Sequence, residues 1–232
     1  MHSAYEVKRF MRTLFYVPLC PFSRKVRIIL AERKLDYQPV IENVWKQREE
    51  FLEINPAGQA PVLVDLNHQV ICDSTVICEY IDETYSEHSL IGEDVLQRAE
   101  TRRLVAWFDG KFNRDVTHKL VFEKALKRHF GRGNPDSTTI REGNSSLHRH
   151  LEYFSWLIER RHWLAGDEFS LADIAGAAHL SCIDYVGHMS WEKYPEIKEW
   201  YSRLKSRPSM RPLLFDQVPG IVPPGHYRDL DF

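Results

Sequence analysis

Two textures of hydrophobic and polar positions divide the chain. From Thr13 to about Tyr85, short apolar runs alternate with short helical patterns. "TLFYV" predicts a buried strand, and "SRKVRIILAERKL" a helix with Val26, Ile29 and Leu30 on its inner face. "YQPVIENV" predicts a second strand. "PVLVD" and "QVICD", around the polar turn "LNH", predict a hairpin. "STVICEYIDETY" then predicts a helix with Val76, Ile77, Tyr80 and Ile81 inward. The order is βαβ followed by ββα, which is the pattern of a small mixed sheet with helices on its faces.

After "GEDVLQRAE" the strand signals stop. Leu104, Trp107, Phe108, Phe112, Val116 and Leu120 recur at helical spacing, as do Leu147, Leu151, Phe154 and Ile158, and later Ile197, Trp200 and Leu204. "GRGNPDSTT" separates the first long helical stretch from the second. The predicted organisation is an extension over 1–12, an α/β domain over 13–87, an all-helical domain over 94–214 and a tail over 215–232. In "GDEFSLADIAGAAHL", Ser170 and Asp173 have the spacing of a capping box, with Phe169 and Ile174 as its staple. The small residues that follow suit a central helix that neighbours approach closely.

Composition narrows the class without naming a function. The 232 residues are 43% apolar and 28% charged, with a formal net charge of -2, values of an ordinary globular protein and not of a general nucleic-acid binder. No leader peptide or membrane-spanning run is legible. The four cysteines form no C-x-x-C pair, so free thiols in a reducing cytoplasm are expected. His148 and His150 of "HRH" are read as part of a solvated face, and no metal site is expected.

Three loops of the first half carry candidate chemistry. Cys20 of "LCPFSRKVR" follows a strand and opens a helix, where free N–H groups, Arg24 and Lys25 would favour a thiolate. Such a thiol either accepts a mixed disulfide or is a small capping residue. In "NPAGQAPVLV", Pro61 precedes a strand, so the Ala60–Pro61 bond is either cis, turning Ala60 toward the site, or an ordinary trans start. In "CDSTVICEY", Asp73 and Ser74 sit at a helix start. They either grip a zwitterion, Asp73 taking the ammonium and Ser74 the carboxylate, or merely cap the helix.

Taken together, these motifs resemble the cytosolic glutathione transferases, from Thr13 to about Leu214. "CPFSRKVR" is similar to the active-site loop of the omega-class, cysteine-type enzymes. "NPAGQAPVLV" resembles the cis-proline loop, "DSTVICEYIDETY" the segment that holds the γ-glutamyl group, and "AGDEFSLADI" the N-capping box. The resemblance implies a thioredoxin-like domain, a helical bundle, a homodimer and glutathione as co-substrate. It places Cys20 against the glutathione sulfur, Ala60 and cis Pro61 against its cysteinyl part, and Asp73 and Ser74 at its γ-glutamyl end. Gln59 assists, and a basic residue near Lys46, where the match is loose, meets the glycyl carboxylate. Trp107, Phe108 and Phe112 either line the pocket for an apolar co-substrate or belong to the core. Tyr16 stands where tyrosine-type enzymes carry their activating hydroxyl and is a rival to Cys20. The tyrosine would activate glutathione toward an electrophile; the cysteine would favour thiol transfer with a disulfide.

Two features exceed what such an enzyme requires. The stretch from Thr101 to Arg132 carries Arg102, Arg103, Lys111, Arg114, Lys119, Lys124, Lys127, Arg128 and Arg132 against only Asp109, Asp115 and Glu123. It is either a solvated face or a dock for an acidic protein segment. The ending "VPGIVPPGHYRDLDF" is either disordered, packed back, or a recognition peptide. It is also similar to the ending of transferase-like bacterial division proteins that bind the tubulin-like polymer FtsZ. Two functions therefore stand: a glutathione-dependent transferase or thiol transferase using Cys20, which leads because its site is complete, and a non-catalytic scaffold that binds FtsZ and other division proteins. If the tail is a partner-recognition element, removing the residues after Pro219 is expected to spare glutathione turnover but to remove a partner interaction.

Overall fold

The computed structural model describes residues 11–85, 88–127 and 131–230. Most of the predicted extension, Arg128 of the basic run and the last two residues of the tail lie outside them.

The chain begins with β1 (Arg12–Tyr16), α1 (Pro21–Glu32), β2 (Tyr37–Ile41), α2 (Glu49–Ile54), β3 (Val62–Val64), β4 (Val70–Cys72) and α3 (Ser74–Tyr85). The four strands form one sheet in the order β2-β1-β3-β4, with β2 parallel to β1 and the other pairs antiparallel. This is the βαβ–ββα pattern of a thioredoxin-like half. Pro39 is accommodated because β2 is an edge strand. Alternation along β1 sends Leu14 and Tyr16 inward, while Phe15 on the other face packs on Phe51 at 5.6 Å between ring centroids. On α3, Ile77, Cys78 and Ile81 are buried and Tyr80 donates to Asp65 at 2.7 Å. Val76 is a correction. It is 55% exposed, because the buried stripe is centred on Ile77 and Ile81 and turns Val76 away.

Among the described residues, the elements that follow are helices, with two isolated β-bridges, Trp163 with Gly166 and Val218 with Ile221. A long rod, α4, starts at Val95–Ala106, continues π-wound through Trp107–Thr117, returns to α-geometry at His118–Val121 and is π-wound again over Phe122–Leu126. Asp94 caps it, accepting from the N–H groups of Leu96 and Gln97. Next come α5 (Ser137–Ile158), capped in the same way by Asp136, then α6 (Leu171–Tyr185), α7 (Pro195–Lys205) and α8 (Arg211–Leu214). The capping box of α6 is present. Asp173 accepts the backbone N–H and hydroxyl of Ser170, both at 3.0 Å. Every residue of α6 is buried, and at Gly176 a Cβ would come within 2.9 Å of Phe108 and 3.1 Å of Trp200. Gly176 is thus required by close packing.

The "HRH" reading needs correction. His150 is buried against Trp107 and Phe112, and His148 Nδ1 lies 2.8 Å from the Tyr194 hydroxyl, so neither ring belongs to a solvated face. The amphipathic face of α5 turns His150 toward α4. The basic run on α4 is largely matched by acids from neighbouring turns and helices: Arg102 by Glu79, Arg103 by Glu100, Lys111 by Asp115, Lys119 by Glu142 and Lys127 by Glu123. The tail packs back. Tyr227 is fully buried against Tyr185, and His226 Nε2 lies 2.8 Å from Asp184.

Candidate functional site

The three chemistry-bearing loops meet at one edge of the sheet, around two adjoining cavities that share Phe22, Gln59 and Ala60. The first, of about 350 Å³, is walled by Asn55, Ala57, Gln59, Ala60, Pro61, Cys72, Asp73 and Ser74. The second, of about 270 Å³, is walled by Cys20, Val44 and Trp45 on one side and by Asn113, Thr117, His118, Val121 and Phe122 of α4 on the other.

Local chemistry explains how each loop reaches the cleft. Cys20 is the N-cap residue of α1, extended at φ -99° and ψ 122°, and Pro21 fills the first helical position where no N–H is needed. The Ser23 hydroxyl accepts the N–H of Val17 at 3.1 Å and ties the strand end to the helix start. The Ala60–Pro61 peptide is cis. Its loop is braced from within, because Asn55 donates its side-chain amide to the Gln59 carbonyl at 2.8 Å and accepts from Ala57 at 3.2 Å. Gly58 has φ +61°, a left-handed conformation that calls for glycine; a Cβ there would meet only the movable end of the Gln47 side chain. Asp73 has φ +72° and accepts from the N–H groups of Thr75 and Val76 at 2.8 and 3.2 Å, which caps α3 while lining the cleft.

The electrostatics differ from the sequence-based expectation. Burial pushes the Cys20 thiol above its ordinary value, and hydrogen bonds from Ser23 and Phe22 oppose that shift without reversing it. Arg24 and Lys25 are both fully buried and committed elsewhere. Arg24 serves Pro18, Ser181, Tyr227 and Asp216, and Lys25 serves Asp109 and Thr75. The carboxylate of Asp109, held low by the Lys25 ammonium and His179 despite its burial, further disfavours a thiolate at Cys20.

Several expected site residues fall outside the cleft. Phe108 and Phe112 are fully buried in the core, packed against Phe154 and His179, because the inward stripe of α4 serves the helical bundle. Trp107 packs on Tyr153, 4.6 Å between centroids. The face of the same rod that lines the cleft runs instead from Asn113 to Phe122. Tyr16 points into the interior beneath the Arg27 guanidinium, 4.8 Å from its ring centre, and lines neither cavity. Lys46 is exposed and lines neither cavity; its neighbours do the work, Trp45 as cleft wall and Gln47 as brace for the Val44 and Gly58 carbonyls. Phe22, Trp45 and Asn55 were not anticipated. An aromatic residue on a short polar loop, as in "NVWKQ", was the available signal for Trp45. Among the described residues, no group of three or more His, Cys, Asp or Glu side chains is placed to hold a metal.

Residues 14–89 match the family described as glutathione S-transferase, N-terminal domain, and residues 113–208 match its C-terminal domain. The chain belongs to the glutathione S-transferase family. Within that family it is 47% identical over 224 residues to FtsZ-localized protein A of Caulobacter vibrioides, an alignment covering 95% of this chain and 98% of that protein. The solved structure of FzlA from C. crescentus superposes with a TM-score of 0.93 at 46% identity, over 96% of this chain and all (100%) of the other. A glutathione S-transferase from Rhodospirillum rubrum superposes with a TM-score of 0.94 at 55% identity, over 96% and 100% of the two chains. The transferase family therefore accounts for the fold and the cleft architecture. The end-to-end likeness to FtsZ-localized protein A extends past residue 208, where the family match ends.

Proposed function

We propose that this protein is an FtsZ-associated member of the glutathione S-transferase family that works in bacterial division. The observation that carries this reading is the 47% identity to FtsZ-localized protein A, spread over 95% of this chain. The state of Cys20 supports it from the other direction. The cations expected to sustain a thiolate are tied to Asp216, Tyr227 and Asp109, and the thiol is pushed up and not down. The protein acts as a two-fold homodimer in the cytoplasm. Exposed apolar residues on α3 and α4, Val76, Val95 and Leu96, are candidates for the dimer interface. Among the described residues no helix is long and apolar enough to cross a membrane.

The test is co-sedimentation with FtsZ polymers of the same organism, assembled with GTP. Enrichment in the pellet that depends on polymer is expected, and a protein that stays in the supernatant at micromolar polymer would overturn the reading.

A second reading is favoured by a separate observation, the convergence of Ala60, Pro61, Asp73 and Ser74 on one cavity. That cleft offers backbone groups and a helix start suited to the peptide and γ-glutamyl parts of glutathione. In this reading the protein binds glutathione and transfers it, or exchanges its thiol, through Cys20. Calorimetry with millimolar glutathione tests it, and absence of heat would leave the cleft without that ligand.

A further inference from the structure

Arg24, on α1, joins three other parts of the chain. Its side chain is fully buried. Nε donates to the Pro18 carbonyl at 2.9 Å, Nη1 to the Ser181 hydroxyl at 2.9 Å and to the Tyr227 hydroxyl at 3.0 Å, and Nη2 to Asp216 at 3.3 Å. Pro18 belongs to the loop that ends in Cys20, Ser181 to α6, and Asp216 and Tyr227 to the C-terminal segment. A guanidinium is a rigid planar fork, so displacement of a partner at one end is felt by those at the other.

Packing repeats the connection independently. Leu19, Val121, Cys182, Tyr185, Val218 and Tyr227 belong to one apolar cluster. Leu19 thereby shares a core with the tail, and its carbonyl lies 3.7 Å from Cys182 Sγ. A third cavity of about 270 Å³ is walled by Gln217, Val218 and Pro219 on one side and by Val17, Leu19, Trp45 and Leu126 on the other. Those last four residues also line the cavity that holds Cys20.

We infer that the C-terminal segment is a strap that holds the cleft in shape, with Tyr227 and Arg24 as positioning residues for the Pro18–Cys20 loop. A partner that draws Tyr227 out of its site leaves a buried cation short of a hydrogen-bond partner, and the loop relaxes to satisfy it. By linkage the effect is reciprocal, so whatever displaces the Cys20 loop loosens the strap. The inference requires neither glutathione binding nor association with FtsZ. It departs from the expectation that the segment after Pro219 can be removed without consequence for the cleft.

The experiment uses the full chain with Tyr227→Phe, which keeps the ring against Tyr185 and removes only the hydroxyl. Rates of alkylation by iodoacetamide are read by peptide mass mapping at Cys20 and, as an internal control, at Cys72, which is on β4 and touches none of this network. Cys20 is expected to react about tenfold faster than in the wild type, the local opening permitted by loss of the charge-assisted hydrogen bond from Arg24 and of the hydroxyl's own bond to the Leu213 carbonyl, with Cys72 unchanged. An unchanged Cys20 rate, or a rise matched at Cys72, would overturn the proposal. Tyr227→Ala provides a second variant with a larger expected difference between the two thiols. In the reverse direction, wild-type protein alkylated at Cys20 should be cut faster by trypsin after Arg228; equal cleavage before and after alkylation would overturn the reciprocal coupling.

Discussion

Asp173 Oδ1 accepts the indole N–H of Trp200 at 2.9 Å across the interface of α6 and α7. The same buried carboxylate takes the N–H of Leu164 at 3.0 Å and both donors of Ser170. One side chain thus satisfies a helix start, a preceding loop and a neighbouring helix. Asp173→Ala would leave those donors unpaired in the core. A loss on the order of 3–5 kcal/mol is expected in urea unfolding. Asp173→Asn, which retains one carbonyl acceptor, should lose less. A loss below about 1 kcal/mol for the alanine variant would mean that the network is not a stability element.

Cys20 should behave as a weakly ionised thiol. Burial raises its folded pKa, so the thiolate fraction at neutral pH is below that of a free cysteine. The alkylation rate is expected to climb through pH 9 without levelling. A plateau at or below pH 7 would reveal a stabilised thiolate and favour thiol transfer as the working chemistry.

Stability should fall on acidification, with His188 contributing to an upper stage and Glu100 to a lower one. Burial lowers His188 from 6.5 to about 4. The neutral ring is the native form, so its contribution is present above pH 6.5 and is lost as pH falls toward 4. Glu100 is lowered from 4.5 to about 2 by Arg103 and, against partial burial, by Arg161. Its contribution is present above about pH 4.5 and is lost as pH falls through 2. Because Glu100 is partly solvated, about 1 kcal/mol is expected of it. Urea midpoints measured from pH 8 to pH 2 check both stages: His188→Gln should flatten the upper one and Glu100→Gln the lower. A profile unchanged by either variant would assign the acid sensitivity elsewhere.

Glutathione affinity, where present, should depend on Ser74 and not on Lys46. Ser74 lines the cleft, whereas Lys46 is exposed outside it. Calorimetry is expected to show Ser74→Ala weakening binding about tenfold, the value of one hydrogen bond to a charged group, with Lys46→Ala unchanged. A reversal of the two would return the glycyl contact to the Lys46 loop. Asp73→Ala is a poorer probe, since Asp73 also caps α3.

Much of this architecture could be read from short segments. The capping box at Ser170 and Asp173, the hairpin around "LNH" and the proline loop all depend on neighbours a few residues away, and local signals carry such elements well. The destinations of Arg24 and Lys25 could not be read in that way. Arg24 meets partners 157 and 203 residues away, Ser181 and Tyr227, and Lys25 meets Asp109 at a separation of 84. A basic pair beside a cysteine looks like thiolate support until distant acceptors claim it. The aromatic residues of α4 misled for a related reason. Helical periodicity locates the inward stripe, but it does not say whether that stripe faces a cavity or a core.

The charged groups on α1 have one more consequence, for dissection of the chain. Leu14, Val26 and Ile77 of the sheet half share a single continuous core with Phe108, Leu151, Ile174 and Trp200 of the helical half. A fragment cut at the connection after α3 would expose not only that apolar surface but also Arg24 and Lys25, stranded without Asp216, Tyr227 and Asp109. The two halves of this protein therefore stand or fall as one indivisible module.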